Sequence, residues 1–474
     1  MSGSSKKILL MGLLLYFSVL IVNDGFMALD EYWVGITRYI PAQTASVMNL
    51  VAPDDVKSPL QLLPMHGVAQ LALALGVTEP YWQYRTVIFV LGAISTLLMF
   101  FAFMVFARIE KLSEKQTGFL YLMMIFYFAA PFGLTRPMFE SVAAPWLTLA
   151  AVFALKYDYS EKLSDLLWGT FFASVAFALR QQLGICALVF VIMPILNKNG
   201  RHFLSASSLG LLFFVLSGIP DYFLRGKFHY SLLNLTVYNY EHGSEYGNQS
   251  VLFYPALIFV ICFVPFFIKR YPTDFLKHYF RRFRSLLIVL VLFVLLHSLF
   301  PNKWERFLIS LLPLLVLLAF PFLYYLQSRF RENRWRLIPL YAINFLLFVI
   351  ASYFPAQKNL IEMSRYLSRH PEIHKIHKLS DTPGWITDAF ILDKKYQFVA
   401  SSLEQLKAEN WQDCSNAVVV GQAQAAEFES VTSGLLLNAV FDVNVIEQLS
   451  FKLNPDKNLR RVQLKLYSGC DAGN

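Results

Sequence analysis

Again and again along this chain, apolar residues run on for about the 20 positions that a helix needs to cross a bilayer. Eleven such spans are expected, at 7–23, 83–107, 117–135, 138–156, 163–180, 182–197, 203–223, 251–268, 285–301, 305–326 and 336–354. Only 15% of the 474 residues are Asp, Glu, Lys or Arg, against about 25% in a soluble domain. That pattern excludes a soluble enzyme and a disordered chain, and it predicts a polytopic all-α membrane protein. The net charge of +9 would suggest nucleic acid in a soluble chain. Here no nucleic-acid partner is expected, and the cations are read first as topology, with membrane lipids as the immediate partner.

Placing the N-terminus inside collects nineteen Lys and Arg on the inner side, from Lys6 and Lys7 through Lys269–Arg284 to Arg329–Arg336. Fewer fall on the outer side, so short inner loops concentrate the positive charge, as expected of N-in, C-out topology. Spans meeting near 136 and 181 are either tight hairpins or interrupted helices. No clear small-x-small cleavage site follows the first span, which is therefore expected to stay.

The composition changes after Phe354. Residues 1–355 read as the membrane domain and 356–474 as a small C-terminal α/β domain on the outer face. Strand-length stretches lie at Asn416–Val420 and Arg461–Leu466, with helix-like segments at Leu403–Glu409 and Ala423–Leu437. Cys414 and Cys470 both fall there and could pair in an oxidising compartment. Four Cys and no C-x-x-C pair give no zinc or thiol-redox framework. No Gly-rich phosphate loop is present, and no cofactor is implied.

Ionisable residues gather between spans on the outer side. Asp30-Glu31-Tyr32-Trp33 follow the first span, Arg136 and Glu140 bracket Pro137, and Arg180-Gln181-Gln182 form the next turn. A longer loop carries Tyr238 through Gly247, and His297-Ser298 lead into Pro301, Lys303, Glu305 and Arg306. Such groups at the apolar boundary are costly and tend to be functional. Bland readings stand beside this one. Asp30-Glu31 could be a solvated loop, Arg85, Arg136 and Arg180 interfacial anchors, and Trp33, Trp82 and Trp304 an aromatic belt. His66, His242 and His297 share no metal-ligand spacing, so no metal site is read.

A carboxylate beside clustered cations near the outer leaflet suits group transfer from a lipid-linked phosphate. The cations hold the phosphate and ease its departure, and the carboxylate takes a proton from the attacking hydroxyl.

In these residues the chain resembles glycosyltransferase family 22, the lipid-phosphate-mannose-dependent mannosyltransferases. Asp30-Glu31 match the family's acidic pair, Tyr84-Arg85 its Tyr-Arg-Ser, Glu140 a Glu in the next short segment, and Arg180 its Arg-Pro-Thr. Asn239 through Tyr254, with Tyr246-Gly247 and Phe253-Tyr254, resembles a further stretch. The most specific match is His297-Ser298 followed by Pro301, Lys303, Glu305, Arg306 and Phe307. Departures are Ala28-Leu29 for His-Pro, Gln181 for Pro, and Asn302 and Trp304 within the late motif.

The resemblance implies a membrane-embedded, inverting, metal-independent glycosyltransferase of the GT-C type. It moves mannose from a polyprenyl-phosphate donor to a lipid or glycan acceptor at the outer face. Asp30 is then the general base, with Glu31 beside it. Lys303, Arg306, Arg180, Arg85 and His297 hold the donor phosphate. Trp33, Glu140, Tyr246 and Glu305 contact substrate, Glu305 alternatively pairing with a cation. A bacterial inner membrane with a periplasmic site is the expected setting, the endoplasmic reticulum with a luminal site the alternative. Rival readings are transfer of another polyprenyl-phosphate sugar, a ligase for a whole glycan, and a transporter or flippase for lipid-linked sugars. A transporter would place its ionisable groups near mid-membrane.

Overall fold

The computed structural model of the chain describes residues 3–26, 31, 56–245, 248–260, 271–301, 303–330, 334–379, 397–409, 411, 413–432, 434–455, 458 and 461–470. They divide into two compact units. One is Met1–Leu20, Ser46–Met65 and Ile88–Val349, and the other Ile21–Ala45, His66–Val87 and Ile350–Asn474.

In chain order the helices are α1 (Gly3–Val22), α2 (Pro59–Ala74), α3 (Pro80–Ile109), α4 (Glu114–Phe126), α5 (Ala130–Leu134), α6 (Phe139–Ser160) and α7 (Leu163–Leu179). There follow α8 (Val189–Leu196), α9 (Gly200–Arg225), α10 (Tyr230–Glu241), α11 (Phe253–Ile258), α12 (Thr273–Arg282), α13 (Arg284–Leu299), α14 (Leu312–Arg329), α15 (Ile338–Tyr353) and α16 (Lys358–Arg369).

Six helical stretches among the described residues are long and apolar enough to cross a membrane: Ser4–Val22, Pro80–Ile109, Phe139–Ser160, Gly200–Arg225, Glu305–Arg329 and Ile338–Arg369. The α12–α13 pair, bent by 77°, adds a seventh if it is one span. The other expected spans take a different form. The 117–135 stretch breaks into α4 and α5, where Pro131 lacks the N–H that would continue a helix. At 180–182 the polar triplet interrupts a shorter pair: α7 ends at an extended Arg180 (φ −151°, ψ 99°) and a 3₁₀ turn, Gln181–Leu188, leads into α8. The 251–268 span runs past the described residues. Sequence periodicity did not mark α2, a short apolar helix interrupted by Pro64.

Within the first unit, α6 packs most extensively on α7. Ala143, Ala144, Ala150, Ala151 and Ala154 of α6 and Ala173 and Ala176 of α7 are buried, and such small residues let helices approach closely without an aqueous hydrophobic drive. The apolar windows of α6 and of Glu305–Arg329 are each 78% buried, against 17% for α9. Leu204, Leu211 and Phe223 of α9 are exposed, as suits a helix whose outer face meets lipid. Several cations counted above as topology are paired: Arg284 chelates Asp158, and Arg282 meets Glu110 at 3.0 Å.

The second unit carries every described strand. β1 (Lys375–Leu379), β2 (Gln397–Ser401), β3 (Asn416–Gly421), β4 (Leu436–Phe441) and β5 (Leu464–Ser468) form one sheet ordered β2-β1-β3-β5-β4. β1 is parallel to β2 and β3, while β5 runs antiparallel to β3 and β4. All six β3 residues are buried. Ala417 and Val419 point into one apolar cluster, Val418 and Val420 into another, the alternation of a strand covered on both faces. The helix expected over Ala423–Leu437 stops at Val431, and Leu436-Leu437 open β4 instead. Gly434, at φ +98°, makes the turn between them, and pairing with β5 outweighs the helical pattern. Cys414 and Cys470 are disulfide-bonded, their Cα atoms 5.3 Å apart, which ties the start of β3 to the end of β5.

Also within this unit, Asn23 donates to the carbonyls of Ala351 and Ser352 at 3.1 and 3.0 Å, and the Phe26 amide donates to Ala356. Gly25 is required by close approach, because a Cβ there would run into the Ala356 backbone.

Candidate active site

Two helix breaks in the first unit build a buried cation cluster. The extended backbone at Arg180 ends α7 and turns that side chain inward. At the second break Trp304 (φ −125°, ψ 143°) precedes a 3₁₀ turn, Glu305–Leu311, that carries Arg306. Such 3₁₀ turns are common at helix termini and as connectors. This turn packs on α6, whose first turn holds Glu140. The carboxylate there also gains from the positive end of the helix.

Glu140 receives Arg180 Nη1 at 2.5 Å, both side chains nearly inaccessible, and Arg306 Nε lies 4.0 Å away. Both guanidinium groups face the Phe307 ring, at 4.9 Å for Arg180 and 5.3 Å for Arg306. His297 stacks on Phe293 at 3.8 Å, with Phe307 at 6.0 Å and Tyr254 at 6.1 Å. Its Nδ1 is 2.9 Å from the Phe293 carbonyl. Two buried nitrogens here, Arg180 Nε and His297 Nε2, have no hydrogen-bond partner among the described residues. Lys303 is buried, its ammonium donating to the carbonyls of Gln249, at 3.0 Å, and Phe300. Burial holds that ammonium below the usual lysine range. The Tyr254 hydroxyl receives the Trp304 amide at 3.2 Å and lies 3.3 Å from the Trp304 carbonyl, fixing the strand of chain between Lys303 and Arg306.

The structure thus joins Arg180, Arg306, Glu140 and His297 in one cluster. Arg136 and Arg180, read as possible interfacial anchors, are instead 1% and 4% exposed; they do not reach out to headgroups. Among the described residues, the carboxylate that pairs with Arg306 is Glu140. Glu305 is exposed and makes no ion pair among the described residues. Glu140 is therefore occupied in holding two cations.

Glu31 belongs to the second unit. Glu31 is buried and accepts from the Tyr84 hydroxyl at 3.2 Å, and the same hydroxyl lies 3.3 Å from the Asp24 carbonyl. Arg85 donates to the Ile21 carbonyl at 2.6 Å, at the end of α1. The Tyr84-Arg85 motif so contacts Ile21, Asp24 and Glu31. Asp30, Trp33 and Tyr246 lie outside the described residues.

Sequence reasoning missed a polar network behind Arg180. Asp221 and Arg225, both nearly inaccessible, pair at 2.9 Å across one turn of α9. The Ser231 amide donates to Asp221 at 3.0 Å, and the Ser231 hydroxyl donates to the same oxygen. Gln181 Nε2 then donates to Ser231 Oγ at 3.0 Å, and Arg225 also reaches the Lys57 carbonyl at 2.9 Å. The signal available was an acid and a base four residues apart closing an apolar helix.

The fold is shared with two solved structures. The solved structures of ArnT from Cupriavidus metallidurans, one bound to undecaprenyl phosphate and one in the apo state, superpose with a TM-score of 0.60 over 97% of each chain. Identity to both is 11%, so this likeness speaks to fold alone. Residues 53–398 match the Alg9-like mannosyltransferase family, and the chain belongs to that family. It is also 29% identical over 157 residues to the alpha-1,2-mannosyltransferase ALG9 of Arabidopsis thaliana, a stretch covering 31% of this chain and 27% of that protein.

Proposed function

We propose that the protein transfers mannose from a polyprenyl-phosphate donor to a hydroxyl of a lipid or glycan acceptor, with inversion. The observation that carries this is the buried Arg180–Glu140–Arg306 cluster, in which Arg180 Nε has no hydrogen-bond partner among the described residues. Family membership supports mannose, and undecaprenyl phosphate in the ArnT structure supports the carrier.

The electrostatics fit the reaction. A sugar phosphodiester carries one negative charge, and the departing polyprenyl phosphate acquires up to a second, since its further ionisation lies near pH 6. Arg180, Arg306 and Lys303 outnumber Glu140, leaving net positive charge where the leaving group gains negative charge. The acceptor oxygen bonds to the anomeric carbon as the bond from that carbon to the phosphate oxygen breaks, and Asp30 takes the hydroxyl proton. Glu31, held by Tyr84, supports the acidic pair; Trp33 and Tyr246 offer flat faces to sugar rings, and Arg85 and His297 complete the polar surround.

The site faces an oxidising compartment, the periplasm of a bacterial inner membrane or, alternatively, the lumen of the endoplasmic reticulum. The Cys414–Cys470 disulfide and the outer-side placement of the cations support this. Residues 356–474 act on that side as an α/β domain.

Transfer by the purified protein, offered polyprenyl-phosphate mannose and an acceptor extract, tests the proposal. Wild type incorporates mannose, and folded Asp30→Asn does not. If wild type transfers only another polyprenyl-phosphate sugar, the mannose assignment falls; if Asp30→Asn remains fully active, the base assignment falls.

A further inference from the structure

Two buried hydrogen-bond acceptors near the cations have no use for a phosphate. The Phe293 carbonyl 2.9 Å from His297 Nδ1 can only accept, so Nδ1 carries the proton. In the neutral imidazole Nε2 is then a bare lone pair. Gln181 is fixed by a similar chain of reasoning. Asp221, paired with Arg225 at 2.9 Å, is a carboxylate and only accepts. The Ser231 hydroxyl must therefore donate to Asp221, and its oxygen must receive an N–H from the Gln181 amide. That sets the amide orientation. Gln181 Oε1 is left as an acceptor.

His297 and Gln181 are 6% and 7% exposed, and neither Nε2 of the one nor Oε1 of the other has a hydrogen-bond partner among the described residues. Unsatisfied buried polar atoms are scarce in native proteins and need a reason. Both residues stand on elements of the cation cluster: Gln181 follows Arg180, and its 3₁₀ turn packs on α13, which carries His297.

A phosphodiester has no proton to give to either atom. A hydroxyl has one, and the sugar is the hydroxyl-bearing group joined directly to the donor phosphate. We propose that Gln181 Oε1 and His297 Nε2 form a subsite that reads hydroxyls on the donor's sugar ring, apart from the cations that hold its phosphate. This rests on the donor reading above and reassigns His297 from phosphate to sugar.

The test compares kcat/KM of the full-length protein in detergent for polyprenyl-phosphate mannose and a set of its monodeoxy derivatives. Wild type, Gln181→Met and His297→Phe are measured, with inhibition by polyprenyl phosphate alone as a second readout. Wild type discriminates against the donor lacking a contacted hydroxyl by at least about tenfold. Gln181→Met loses that discrimination for one hydroxyl and His297→Phe for another, while inhibition by polyprenyl phosphate stays within about twofold, as expected when only uncharged contacts are removed. Ser231→Ala, which frees the Gln181 amide to rotate, blunts the Gln181-dependent discrimination and serves if Gln181→Met fails to fold.

Unchanged deoxy-sugar penalties in these variants, with transfer intact, overturn this inference alone. Loss of polyprenyl phosphate inhibition in the Gln181 and His297 variants also overturns it, by placing them at the phosphate. If wild type transfers another sugar, the deoxy set is made from that sugar. Transfer of no polyprenyl-phosphate sugar by wild type overturns both readings.

Discussion

Arg180→Lys separates the charge of the cluster from its geometry. Arg180 spends Nη1 on Glu140 at 2.5 Å and keeps a buried Nε without a hydrogen-bond partner among the described residues. A lysine ammonium preserves the charge and can meet Glu140, but it is a point donor without the guanidinium fork. Losing one charge-assisted hydrogen bond to the donor phosphate costs about 1.5–3 kcal/mol. At 1.36 kcal/mol per decade that is a fall in kcat/KM of about 10- to 150-fold. Arg180→Ala is the less informative variant, since it strips Glu140 of its nearer partner, and breaking a buried pair costs about 3–5 kcal/mol of stability. The assay is steady-state mannose transfer in detergent, with a thermal unfolding curve for each protein and inhibition by polyprenyl phosphate. Arg180→Lys should fold, transfer slowly and bind polyprenyl phosphate more weakly. Activity within about threefold of wild type would refute the argument, because charge alone would then suffice. So would a loss matched by the fraction of unfolded protein.

Lys303 gives the pH dependence. Its burial lowers the ammonium pKa, so the cation is lost at lower pH than an exposed lysine loses it, and kcat/KM falls on the alkaline side accordingly. A guanidinium in its place does not titrate there, so Lys303→Arg should remove that limb; a limb that persists unchanged assigns it to another group. The Cys414–Cys470 bond closes a separation of 56 residues, which by loop entropy stabilises the second unit by about 4 kcal/mol. Mild reduction or Cys470→Ser should lower its thermal unfolding temperature, and an unmoved transition would show that the bond contributes nothing.

The late motif at His297–Phe307 and the acidic pair could be read because their chemistry is local: an acid, a base and an aromatic ring keep their types whatever the fold. Partnership could not. Glu140 and Glu305 are both carboxylates near arginines in the sequence, and only packing of the 3₁₀ turn on α6 gives Arg306 to Glu140. Arg136 and Arg180 look like anchors until helix breaks turn them inward. Asp221 and Arg225 sit in a helix whose apolar length masks them, and Ser231 becomes the partner of Asp221, and Gln181 that of Ser231, only through contacts of α9, α10 and the turn after α7.

By itself the sequence determined that this chain crosses a membrane repeatedly, because apolar runs of that length have no other stable environment, and that its motifs are those of a mannosyltransferase family. Tertiary structure alone decided which runs are whole helices and which are broken, which residues form the sheet pairs, and which acid meets which base. The reason is physical. Hydrophobicity is summed along the chain and can be read there, whereas a buried ion pair or a fixed amide orientation exists only between groups that folding brings together.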